Sequence, residues 1–217
     1  MLPLKVLLVD DHELLRRGVA ALLTGHGGWT VVGEAADGRS AVQLAEQTRP
    51  DVVVMDISMR ELNGFEATRQ IHRSRPETEV LIFTMHESEH LVRATIAAGA
   101  RGYVLKSDAS QQLVAAVEAL GRHEPYFSSR VAARVFEEVT PPRRQRRGRR
   151  RVAGLTQRER EVVQLLAEGR HNREVAEKLA ISVKTAETHR ARVMRKLKVD
   201  SLAELVRYAV REGIVEA

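Results

Sequence analysis

Three acids, a hydroxyl and an amine are spaced through the first half of this 217-residue chain in a way that could handle a phosphoryl group. Asp10 and Asp11 stand side by side, and Asp56 closes the run Asp51-Val52-Val53-Val54-Met55. Thr84 and Lys106 each follow a further apolar run. Three carboxylates drawn into one crevice repel one another and need a cation. All-oxygen ligands with room for water suit Mg²⁺. Beside such a metal, Asp56 could attack phosphorus and become an aspartyl-phosphate. That transfer needs mainly positioning and charge neutralisation. Lys106 offers a compact positive charge to one phosphoryl oxygen, and the Thr84 hydroxyl can donate to another. Taken singly, Asp56 also reads as the first residue of a loop, a place Asp often takes.

Whether these residues meet depends on the elements between them. Val52 to Met55 is a short apolar run rich in β-branched residues, the pattern of a strand buried on both faces. Similar strands are expected over 5–9, 30–35, 80–83 and 102–105. Helices are expected over 13–24, 40–48, 65–73, 90–98 and 110–120, with Leu14, Leu15, Val19, Leu22 and Leu23 on one side of the first and Gly99 capping the fourth. Strict alternation of strand and helix means a doubly wound parallel sheet, here five-stranded. In the flavodoxin-like order 2-1-3-4-5, ligands bind at the C-terminal strand ends where strands 1 and 3 diverge. That order puts Asp10 and Asp11 beside Asp56. His86 and His90 have a spacing that could hold a metal on a helix, but no third ligand is evident, and solvated residues on a loop and helix start are the favoured reading.

Composition separates a front from a back. Residues 1–139 carry net charge −4 and residues 140–217 carry +10. The basic part favours nucleic acid or an anionic surface. The chain has no cysteine, which excludes disulfides, thiolate zinc sites and a thiol nucleophile. No leader pattern or bilayer-length apolar run is evident, so a cytoplasmic protein that does not enter a membrane is expected. Residues 128–139 read as a short amphipathic helix ended by Pro141-Pro142. Seven arginines then crowd Arg143 to Arg151, either as a self-repelling tether or as a contact for phosphates.

From residue 155 on, four short helices are expected. Thr156 and Glu159 form a capping box, Asn172 caps the second helix and Ser182 the third. Val183, Ala186, Val193 and Leu197 mark the inner face of the third helix; Lys184, Glu187, Thr188, Ala191 and Arg195 mark an outer one. Two helices joined by a tight turn, the second basic, read as a helix-turn-helix whose outer face lies in a major groove. A basic helix simply facing solvent is the plainer alternative.

Residues 4–121 resemble the receiver domain of bacterial two-component response regulators, on Asp10-Asp11, Asp56, Asn63-Gly64, Thr84, Gly102-Tyr103 and Lys106. The resemblance implies that Asp56 accepts phosphate from a sensor histidine kinase. It implies that Asp11, Asp56 and the backbone carbonyl of Ser58 hold Mg²⁺ with Asp10 in support, and that Thr84 and Tyr103 form a switch pair. Arg60 and Ser107 stand where the family often has proline. The segments from Leu155-Thr156 through Ile181-Ser182-Val183-Lys184-Thr185-Ala186-Glu187-Thr188-His189 resemble the LuxR-type DNA-binding domain, with Ala186 in place of the usual valine. This implies DNA contacts from Lys184, Thr185, Glu187, Thr188, Ala191, Arg192 and Arg195. It also implies a dimerising fourth helix with Leu202, Leu205, Val206 and Ala209. The combined layout is similar to NarL/FixJ-type regulators. Expected, then, are a receiver domain over 1–122, a linker over 123–152 and an all-α helix-turn-helix domain over 153–217. Such a protein would bind double-stranded DNA as a homodimer and catalyse nothing beyond assisting its own aspartyl phosphorylation and dephosphorylation. Two alternatives stay open: a receiver-like protein that binds DNA without phosphate control, and an aspartyl-phosphate enzyme such as a phosphatase with a basic tail.

Overall fold

The computed structural model describes residues 3–128 and 155–215. Its chain divides into two compact units, parted between Thr140 and Pro141.

In the first unit, strands β1 (Leu4–Val9), β2 (Trp29–Ala35), β3 (Val52–Met55), β4 (Glu79–Thr84) and β5 (Gly102–Leu105) alternate with helices α1 (Glu13–Thr24), α2 (Gly38–Thr48), α3 (Gly64–Ser74), α4 (Glu89–Ala98) and α5 (Ala109–Gly121). All the pairings are parallel, and the order is β2-β1-β3-β4-β5, as expected, with one strand more. That sixth strand, β6 (Tyr126–Phe127), pairs with β5 through Gly102 and Tyr103. Two residues are too few to show an alternation, so the sequence pattern missed it. The sheet consequently continues past the boundary expected at residue 122.

Period-2 geometry sorts the central strands into two cores. Leu7, Val9, Val53, Met55, Val80 and Ile82 pack with residues of α2, α3 and α4, whereas Val6, Leu8, Val52, Val54, Leu81 and Phe83 pack with α1 and α5. Strand β3 lies between β1 and β4 and is buried along its whole length, which is why it reads as one apolar run. The inner face of α1 is narrower than expected. Val19 and Leu23 are buried, but Leu14 is 87% exposed and Leu22 is also in solvent. Gly99 caps α4 in the left-handed conformation (φ +107°).

The second unit holds α6 (Gln157–Ala167), α7 (Asn172–Lys178), α8 (Val183–Leu197) and α9 (Leu202–Arg211). Its core takes Val162, Val163, Leu165 and Leu166 from α6, Val175 and Ala176 from α7, Ala186 and Val193 from α8, and Leu205 and Ala209 from α9. Thr156 and Glu159 form the expected capping box, and Ser182 Oγ accepts from the Thr185 N–H. Two expectations are corrected. The cap of α7 is His171, whose N–H donates to Glu174, and Asn172 is the first helical residue. Val183 is exposed, because the first turn of α8 projects beyond the core. Apart from Ser128, the helix expected over 128–139 lies outside the described residues, as do the arginines from Arg143 to Arg151. Among the described residues no helix is long and apolar enough to cross a membrane.

Candidate functional site

Parallel register brings the C-terminal ends of β1, β3, β4 and β5 to one edge of the sheet. Asp10 follows β1, Asp56 follows β3, Thr84 ends β4 and Lys106 follows β5. The Asp56 N–H donates to the Val9 carbonyl at 2.8 Å, so the carboxylate leaves the sheet at a fixed height. Lys106 Nζ joins the set, 2.8 Å from Asp10 Oδ2 and 2.9 Å from Asp56 Oδ2. The other Asp56 oxygen accepts from the Ile57 N–H at 2.8 Å.

Asp56 is only 3% exposed. Burial raises its carboxyl pKa above the ordinary value, against the lowering by Lys106. For Lys106, burial works against the charge, but Asp56 and the hydrogen bonds to Asp10 and Asp56 outweigh it and raise the pKa. Burial thus leaves the Asp56 carboxylate less favoured than in water, while Lys106 stays charged between the two acids.

Donor atoms of Asp10, Asp11, His12 and Asp56 all lie within 4.8 Å of one another. The three carboxylates supply hard oxygen ligands, and Asp11 opens to solvent. This set fits a hard, partly hydrated cation such as Mg²⁺. His12 Nδ1 lies 2.9 Å from Asp11 Oδ1 and 3.4 Å from Asp10 Oδ1.

The loop after Asp56 is held from beneath by α3. A Cβ on Gly64 would stand 2.0 Å from the Asp56 carbonyl oxygen, so only glycine permits this approach. The Gly64 N–H donates to the Ile57 carbonyl at 2.9 Å, and Asn63 caps the helix through the Glu66 N–H. Arg60, in the usual proline position, is exposed, and the turn is completed by Glu61 in the left-handed region (φ +66°). No cis peptide occurs among the described residues, including the Lys106–Ser107 bond.

Thr84 and Tyr103 converge on one residue. The wholly buried Tyr103 donates its hydroxyl to the His86 carbonyl at 2.8 Å, and the His86 N–H donates to Thr84 Oγ1 at 3.3 Å. The His86 ring lies 2.8 Å from Ser58 Oγ. His86 precedes α4, so it does not share a helix face with His90. Its imidazole faces the loop after Asp56 instead.

A further residue escaped the sequence reading. Arg16 Nη1 donates to the Asp10 carbonyl at 2.6 Å, while its Nε lies 3.0 Å from Glu34 Oε2. The available signal was its place on the buried stripe of α1, three residues before Val19 and seven before Leu23.

In the second unit, Lys184, Thr185, Glu187, Thr188, Ala191, Arg192 and Arg195 are all exposed on α8, while Ala186 and Val193 face the core. The Thr188 hydroxyl donates to the Lys184 carbonyl at 2.9 Å. On α9, Leu205 and Ala209 are wholly buried in the unit's own core, which removes them from an outward-facing dimer surface. Leu202 is 40% exposed and Val206 half-buried.

Comparison with known proteins matches both units. Residues 6–118 match the response regulator receiver domain, and residues 153–209 match the bacterial regulatory proteins of the luxR family. Transcriptional regulatory protein LiaR of Bacillus subtilis is 36% identical over 212 residues, spanning 98% of this chain and 99% of LiaR. The RcsB response regulator of Salmonella typhimurium, solved in work on its DNA interaction, superposes with a TM-score of 0.58 at 27% identity, over 97% of this chain and 100% of that one. A structure of two RcsB dimers bound to two parallel DNAs gives a TM-score of 0.58 at 25% identity, over 95% of this chain and 97% of that one.

Proposed function

The chain belongs to the response regulators of transcription that join a receiver domain to a LuxR-type DNA-binding domain, and from that premise we propose that Asp56 accepts a phosphoryl group from a sensor histidine kinase and thereby controls dimerisation and sequence-specific DNA binding. The observation that carries this reading is Lys106 held between the carboxylates of Asp10 and Asp56 at the end of the buried central strand. An Asp56 oxygen forms the O–P bond as the P–N bond of the donor phosphohistidine breaks. The departing imidazole keeps the electron pair and takes a proton from solvent.

Lys106 is placed to turn from the Asp56 carboxylate to a phosphoryl oxygen without leaving Asp10. The Thr84 hydroxyl donates to a second oxygen. Asp10, Asp11 and Asp56, with the Ser58 carbonyl, would hold Mg²⁺, which when bound would neutralise charge on the phosphoryl oxygens. Drawing Thr84 toward the phosphoryl group disturbs its link to His86 and so reaches Tyr103. The exposed face of α8 enters the major groove, and Leu202 and Val206 are apolar residues of α9 left open to a second copy. Dimers on DNA in RcsB support that last part.

Labelling with acetyl phosphate tests the acceptor. Asp56→Asn should abolish labelling, and Asp11→Asn should weaken it and raise the Mg²⁺ concentration required. Undiminished labelling of Asp56→Asn would reject the assignment.

A further inference from the structure

We infer that Arg16 is a positioning residue for the metal-binding carboxylates, acting through the Asp10–Asp11 peptide, and that Glu34 holds Arg16 in place. The inference rests on the reading in which Asp10, Asp11 and Asp56 hold Mg²⁺. Asp10 donates its N–H to the Ala35 carbonyl at 3.1 Å and is fixed at three further points. Its Oδ1 accepts from the His12 N–H at 2.9 Å, its Oδ2 meets Lys106 at 2.8 Å, and its carbonyl takes Arg16 at 2.6 Å. The first two contacts orient the Asp10 side chain. The third orients the peptide plane that leads into Asp11. Asp11 is the exposed carboxylate of the cluster, and the side-chain partner found for it is His12, which is more exposed still. Its aim therefore depends on the backbone that Arg16 holds.

Arg16 is an odd choice on packing grounds alone. It lies on the buried stripe of α1 with Val19 and Leu23, and its side chain is only 15% exposed. It also follows closely on the helix start at Glu13, where the helix dipole disfavours a cation. A desolvated guanidinium there needs partners, and it has two on different elements: the Asp10 carbonyl after β1 and Glu34 on β2. The planar fork presents a separate nitrogen to each partner, Nη1 to Asp10 and Nε to Glu34, where a lysine has a single ammonium to share between them. Glu34 also cancels the guanidinium's charge, so Arg16 contributes orientation rather than net field. Outer residues that orient metal ligands commonly change affinity by about 10- to 100-fold when removed.

The test is Mg²⁺ titration calorimetry on the full chain, with the rate of acetyl phosphate labelling measured against Mg²⁺ concentration in parallel. Arg16→Ala should raise the Mg²⁺ dissociation constant about tenfold, while the labelling rate at saturating Mg²⁺ stays within about twofold. Arg16→Lys should recover only part of the affinity. Glu34→Gln, on the solvent side of the contact, should shift the dissociation constant in the same direction by less, and it carries the test if Arg16→Ala does not fold. Unchanged Mg²⁺ affinity in both Arg16→Ala and Glu34→Gln would overturn the role of Arg16. So would a loss of maximal rate with no change in affinity. Failure of the wild-type chain to bind Mg²⁺ would instead remove the premise, the two results being distinguishable in the same titrations.

Discussion

Asp56 and Glu159 are both buried carboxyls beside a lysine, yet their acidities move in opposite directions. Burial dominates at Asp56 and raises its pKa even with Lys106 at 2.9 Å. At Glu159 burial also pushes upward, but Lys196 at 2.6 Å and the Thr156 N–H at 2.8 Å outweigh it and lower the pKa. Burial decides the direction at one carboxylate and its hydrogen-bond partners decide it at the other. A carboxyl whose pKa is depressed by folding contributes stability above its unfolded value, about 4.3, and loses that contribution as pH falls through the lower folded value. Glu159→Gln should therefore destabilise the second unit by about 1 kcal/mol near neutral pH, and the deficit should shrink as pH falls from 5 to 3. Denaturant melts of the full chain, followed through the second unit's transition, measure this. A deficit that stays constant with pH would mean that the capping geometry matters and the charge does not. Asp10, Asp11, Asp56, Thr84 and Lys106 were legible in the sequence because strand ends announce them. Arg16 was not, since the contact that ties it to the site is to a backbone carbonyl, which carries no residue signature.

The elements that read well were those whose burial matches a single periodicity. β3 is buried on both faces and appears as an unbroken apolar run; α5 packs Leu113, Val117 and Leu120 on one face and shows a helical one. α1 misled because Leu14 and Leu22 are apolar but face water. β6 misled because its two residues join the sheet through backbone pairing, which side-chain pattern does not encode. On α9 four apolar residues were legible, but sequence could not divide those serving the unit's own core, Leu205 and Ala209, from those left more open, Leu202 and Val206, and it passed over the buried Tyr208. α8 gives a sharper expectation. The Thr188 hydroxyl spends its proton on the Lys184 carbonyl, so it faces outward as an acceptor flanked by a methyl group. It can accept from a base amino group or touch a thymine methyl. Thr188→Ala should cost specific binding about 1–3 kcal/mol and leave random-sequence binding nearly unchanged, and Thr188→Val should separate the two contacts. Lys184→Ala should weaken all duplexes alike and reduce the salt slope by about 0.9. Equal losses on selected and random duplexes for Thr188→Ala would place the reading surface elsewhere.

Across the whole molecule, the distribution of charge pairs an acidic first unit with a basic second, −4 over residues 1–139 and +10 over residues 140–217. The basic unit has its own core and its own caps, so phosphate at Asp56 is not needed to fold it. Under the proposed function, control then acts on a population: phosphorylation would favour a state that binds DNA as a dimer over one that does not. Coupling between two sites of this kind is typically worth about 5- to 150-fold in affinity. Stability, charge and the exposed face of α8 are common to a controlled regulator and to one that binds DNA regardless of phosphate. What separates them is the affinity of the full chain for duplexes selected from a random library, measured at one salt concentration with and without acetyl phosphate and Mg²⁺. The account predicts at least about fivefold tighter binding on phosphorylation, and no such gain in Asp56→Asn. Equal affinity of the phosphorylated and unphosphorylated wild-type chain, with Asp56 shown to carry the phosphate, would contradict it.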